Sequence, residues 1–110
     1  MEIQTRKQKE AMIVSIKGRM DALTAPEFEN NLSGHISQGE NIFIINFVGL
    51  EYISSAGLRS ILAISKKLKE KNGKMLLTGL HGSVEEVFRI SGFKTIFTIY
   101  ATEEAAFKEI

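Results

Sequence analysis

The stretch Ile42-Phe43-Ile44-Ile45-Asn46-Phe47-Val48 limits the folds open to this chain more than any other segment. It is almost continuously apolar, β-branched and aromatic, with one polar interruption at Asn46. A strand covered on both faces reads this way, as central strands of parallel or mixed sheets do. The run is far too short to cross a bilayer as a helix. Segments with a helical period flank it. Phe28, Leu32 and Ile36 recur at i, i+4 and i+8, and Leu58, Ile61, Leu62, Ser65 and Leu68 share one face of a second helix, from about Ala56 to Lys71. A buried strand between two amphipathic helices predicts an α/β domain.

The remaining segments extend the pattern. Ala11 to Gly18 is β-branched and ends in glycine, which reads as a strand. Residues 2–7 read as a weak edge strand, joined to it by a turn around Gln8-Lys9-Glu10. Thr24 with Glu27 has the spacing of a capping box, and Pro26 falls in the first turn of the helix. Gly49 to Ile53 reads as the connection from the central strand to the second helix, which Asn72-Gly73 ends. Lys74 to Thr78 is a short strand, Ser83 with Glu86 opens a third helix, and Gly92 stops it. Thr95 to Tyr100 is a last strand, and Thr102-Glu103-Glu104 opens a terminal helix. The predicted order is β-β-α-β-α-β-α-β-α: one domain over residues 1–110, with a mixed sheet of four or five strands and about four helices.

Composition excludes several functions. A net charge of +1 gives no basic field for nucleic acid. The chain has no cysteine, so it forms no disulfide and no thiolate metal site. Residues 1–7 lack the apolar core of a signal peptide, so a cytoplasmic protein without membrane insertion is expected. His35 and His81 have no metal-ligand spacing, and no Gly-rich phosphate loop is present, so no cofactor is expected. Ser54-Ser55-Ala56-Gly57 lacks the first glycine of a hydrolase nucleophile elbow, and no enzyme activity is expected.

Attention therefore falls on Ile53-Ser54-Ser55-Ala56-Gly57-Leu58, beyond the carboxyl end of the central strand, where open α/β sheets place their function. Ser55 or Ser54 is expected to be the helix N-cap, a contribution of about 1 kcal/mol. A phosphate at that helix start would be tolerated and would add about −1.5 to −2 charges to a nearly neutral surface. Ala56 and Gly57 are small enough for another protein's backbone to approach. A plain cap and a regulatory serine are both consistent with these residues. Asp21 precedes the first helix at the same end of the sheet, as a turn acid or a polar contact for a partner. The lysines from Lys66 to Lys74 read as a solvated helix end.

Three stretches, in order, resemble the STAS family, in particular the bacterial anti-sigma-factor antagonists. They are Gly18-Arg19-Met20-Asp21-Ala22-Leu23-Thr24-Ala25-Pro26, then Asn46 to Leu58, then Val87 to Phe93 with Ile96-Phe97. The resemblance runs from about Ile3 to Ala106. It implies a switch. The unmodified antagonist binds an anti-sigma factor that is also an ATP-dependent serine kinase. Phosphorylation releases the complex, and a serine phosphatase resets it. The implied acceptor is Ser55, with Ser54 as the alternative, because Ser54 stands where the family usually has Asp; Ala56 stands where Ser or Thr is common. The implied partner surface combines Asp21, Thr24, Ser54, Ser55, Gly57, Leu58 and Arg59. Monomer and weak dimer are both open, since the first strand is a candidate free edge. The alternative is a constitutive scaffold or accessory subunit of a stress-signalling or lipid-transport assembly, without phospho-switching.

Overall fold

The computed structural model describes all residues, 1–110. Its elements are β1 (Glu2–Gln8), β2 (Ala11–Met20), α1 (Ala25–Ser37), β3 (Ile42–Ile53), α2 (Ser55–Glu70), β4 (Lys74–Thr78), α3 (Gly82–Ile90), a 3₁₀ turn (Phe93–Thr95), β5 (Thr98–Tyr100) and α4 (Glu103–Phe107). They build one five-stranded sheet in the order β1-β2-β3-β4-β5. β1 pairs antiparallel with β2 through a two-residue turn, and β2 to β5 run parallel. The predicted mixed sheet and element order are therefore found.

Chirality explains where the helices lie. Each strand from β2 onward is placed beside its predecessor in the same direction, and right-handed crossovers then put every connecting helix on one face. Phe28, Leu32 and Ile36 of α1 and Leu58, Ile61, Ile64 and Leu68 of α2 are buried there against Val14, Ile16, Phe43, Ile45, Phe47 and Leu77. The other face carries a smaller cluster, with Ala106 of α4 covering Ala11, Ile13, Ile44 and Leu76. β3 is covered on both sides along its first half, as its composition predicts. Arg6 and Asn46 tie α4 down, each donating to a carboxylate oxygen of Glu103 at 2.6 Å. Burial disfavours the charged Glu103, but the hydrogen bonds from Asn46 and Arg6 outweigh it and hold its pKa below the ordinary value.

Several boundaries differ from expectation. Gly49 to Ile53 is not a loop: β3 continues to Ile53, because β2 also runs past Gly18 and pairs Arg19 with Tyr52 and Met20 with Ile53. Two register shifts in this ladder accommodate extra residues on β3. The Thr24–Glu27 capping box does not form, because the Thr24 hydroxyl is occupied by the preceding loop. Ser83 does not cap α3; His81 takes the N-cap position, and Ser83 donates to the Glu51 carbonyl at 3.2 Å. The last strand is shorter than predicted. Phe93 packs edge-on to Phe88, centroids 6.1 Å apart, and Phe97 lies 5.7 Å from Phe93, so this segment coils into the core before β5 begins at Thr98.

Candidate functional site

The carboxyl ends of β2 and β3 lie side by side, and the chain leaves both toward helices. The backbone N–H of Ser54 donates to the Met20 carbonyl at 2.9 Å, which binds the start of α2 to the end of β2. Ser54 is extended and is the N-cap: its Oγ accepts from the Gly57 N–H at 3.3 Å, and its carbonyl accepts from Leu58 at 3.0 Å. Of the two serines expected to cap, Ser54 therefore does so. Ser55 is the first residue of the helix proper, exposed, with no hydrogen bond made by its hydroxyl.

The neighbouring loop is fixed by its own side chains. The Asp21 carboxylate accepts from the N–H groups of Leu23 at 3.0 Å and Thr24 at 3.2 Å. The Thr24 hydroxyl accepts from the Asp21 N–H at 2.9 Å and donates to the Arg19 carbonyl at 2.8 Å. The backbone bond from Thr24 has the largest effect on Asp21, and together with those from Leu23 and the Thr24 hydroxyl it outweighs desolvation and holds the pKa below its ordinary value. This bracing presents Leu23, 87% exposed, at the tip. Arg19 lies over the Tyr52 ring at 4.1 Å, joining β2 and β3 on the surface below. Between the helix starts is an open groove of about 250 Å³. Ala22, Pro26 and Glu29 line one wall, and Ala56, Arg59 and Ser60 the other.

No helix is long and apolar enough to cross a membrane, and no group of His, Cys, Asp or Glu is arranged to hold a metal ion. What this end offers is a braced loop, an exposed hydroxyl and a shallow groove.

The comparisons with known proteins agree with one another. The model of the STAS domain matches residues 2–106. The chain belongs to the STAS family. A relative from Bordetella bronchiseptica, the candidate anti-sigma factor antagonist BtrV, is 37% identical, covering 86% of this chain and 82% of its own. A candidate anti-sigma factor antagonist from Thermotoga maritima superimposes with a TM-score of 0.93 at 21% identity, over 98% of this chain and 93% of that one. The Bacillus cell fate determinant SpoIIAA, in its phosphorylated form, gives 0.76 at 24% identity, over 98% of each chain. At these identities the two structures speak for the fold.

Within this STAS domain the residues singled out from sequence divide into two sets. Asp21, Thr24, Ser54, Ser55 and Arg59 gather around the ends of β2 and β3. Gly57 and Leu58 face inward, and Leu58 is only 8% exposed. The space beside Gly57 is filled from within: a Cβ there would meet Ile53 Cγ1 at 2.7 Å and the Met20 carbonyl oxygen at 2.9 Å. The close approach foreseen for a partner's backbone is thus made by the domain's own β2. Leu23 is not among the residues expected at the partner surface, yet it is the most exposed large apolar side chain there. Its signal was an apolar residue in a polar turn, off the Phe28–Leu32–Ile36 stripe.

Proposed function

We propose that this STAS domain is an anti-sigma-factor antagonist. Unmodified, it binds an anti-sigma factor with serine kinase activity, and phosphorylation of Ser55 releases it. The observation that carries the reading is the separation of roles at the start of α2. Ser54 spends its hydroxyl on the cap, and Ser55 stands exposed beside it with its hydroxyl free. A phosphate on Ser55 needs no hydrogen bond broken. The first turn of α2 holds no acid to repel it, and a helix start favours negative charge. Phosphorylation therefore leaves the fold intact while changing the surface charge. A partner seated against Leu23, Ser55 and Arg59 would have to desolvate about −1.5 to −2 charges, and the complex opens. The names of BtrV and the Thermotoga maritima protein, and the phosphorylated form of SpoIIAA, support the same reading. A serine phosphatase resets the switch, in a protein that acts by binding and not by catalysis, in the cytoplasm, as monomer or weak dimer.

One observation favours a second reading. Ser54 stands where the family usually has Asp, and it caps the helix without carrying the acid's charge. If the kinase reads that charge, the domain is a constitutive scaffold or accessory subunit. The test uses protein isolated from its host and the immobilised unmodified and phosphoserine-55 forms, with ADP present. Phosphate mapped by mass spectrometry to Ser55, and an ATP-dependent kinase retained by the unmodified form alone, support the switch. Equal retention of the same partner by both forms supports the scaffold.

A further inference from the structure

We propose that Arg59 is the internal counter-ion of a phosphate on Ser55. The proposal rests on the reading of Ser55 just given and adds the residue that holds the modified state. Ser55 and Arg59 lie four residues apart on α2, a spacing that puts their Cβ atoms about 5–6 Å apart on one helix face. Helical side chains lean toward the N-terminus, so Arg59 reaches over the turn that contains Ser55. Both residues are exposed.

Arg59 is free for the task. The ion pairs of the structure join Arg6 to Glu103, Lys7 to Glu40, Arg89 to Glu86 and Lys94 to Glu85, and none engages Arg59. The charged groups around it are accounted for. Glu29 on α1 lines the opposite wall of the groove without pairing to it. Asp21 on the β2–α1 loop is committed to backbone N–H groups. Arg19 on β2 lies on Tyr52. A guanidinium presents two parallel N–H donors that match two phosphate oxygens, a fit that an ammonium cannot reproduce. Phosphorylation then changes two things at once: it adds negative charge, and it engages a cation of the same exposed surface that is otherwise free.

The test needs no kinase. Phosphoserine is incorporated at position 55 by genetic encoding, and the ³¹P signal is titrated with pH in otherwise unchanged protein and in Arg59→Gln and Arg59→Lys. The expected result is a second phosphate pKa lower in the Arg59 protein than in Arg59→Gln by about 0.2–0.4 of a pH unit, the size of an exposed pair at this helical spacing. Arg59→Lys should fall between them, and the difference should shrink at high salt. Superimposable titrations of Arg59 and Arg59→Gln proteins overturn the proposal. Failure of the switch itself is separate: it would show as equal kinase retention by modified and unmodified forms, whatever the titration gives.

Discussion

Replacing Gly57 by alanine adds one methyl group at the point where α2 meets the end of β2. That methyl would lie 2.7 Å from Ile53 Cγ1, 2.9 Å from the Met20 carbonyl oxygen and 3.0 Å from Met20 Cγ. The side-chain atoms can give way, but the carbonyl cannot without disturbing the bond it accepts from Ser54. Overpacking of this kind costs about 1–3 kcal/mol. The higher helix propensity of alanine returns at most about 1 kcal/mol, and less in a first turn. The net expectation is a loss of about 1–2 kcal/mol, or about 4–9 °C in Tm for a chain of this length. Gly34 supplies the contrast. It lies inside α1 with nothing within 4 Å of its would-be Cβ, so the same substitution there should stabilise by about 0.5–1 kcal/mol. Thermal and urea unfolding followed by circular dichroism reads both. The steric reasoning fails if Gly57→Ala is as stable as the unsubstituted domain, or if both substitutions shift stability in the same direction.

Three further outcomes follow from the geometry. Ser54→Ala should cost about 1 kcal/mol in urea unfolding as the cap is lost, whereas Ser55→Ala should stay within about 0.5 kcal/mol; equal losses would place the cap elsewhere. Phe88→Ala should cost about 3–5 kcal/mol, because the ring meets Phe47, Phe93 and Phe97 in the core, and a cost below about 1 kcal/mol would contradict that packing. The depressed pKa of Glu103 stabilises the fold above its ordinary value of 4.5, and that contribution disappears as pH falls through the lower folded value. Glu103→Gln should therefore flatten the acid limb of a stability-against-pH curve below about pH 4.5, and parallel curves for the two proteins would refute the assignment.

The sequence made the sheet legible because burial leaves a direct trace in composition. The continuous run at Ile42 to Val48 marks a strand covered on both faces, and the stripe Phe28, Leu32, Ile36 marks a face of α1 that is buried as read. Boundaries were less legible wherever a side chain had a choice of partners. Thr24 and Ser83 both carry capping spacings, and both hydroxyls are taken by carbonyls outside their helices, Thr24 by that of Arg19 five residues back and Ser83 by that of Glu51 across the fold. Gly49 to Ile53 has the glycine and the acid of a loop, yet its backbone groups pair with the far half of β2. Such competition is decided by tertiary neighbours, which local spacing does not encode.

The site follows the same division. The expectation of a site beyond the end of β3 rests on topology and on the family resemblance, and the serine pair there carries a capping signal. Which serine caps depended on one backbone bond, from Ser54 to Met20, that fixes where the strand conformation ends and the helix begins. Moving that boundary by one residue would make Ser55 the cap and put its hydroxyl to structural use. A phosphate there would then compete with the fold. With the boundary where it is, the cap rests on Ser54 and the Ser55 hydroxyl stays exposed, so the proposed phosphate at Ser55 would change the surface charge without the helix having to give up its start.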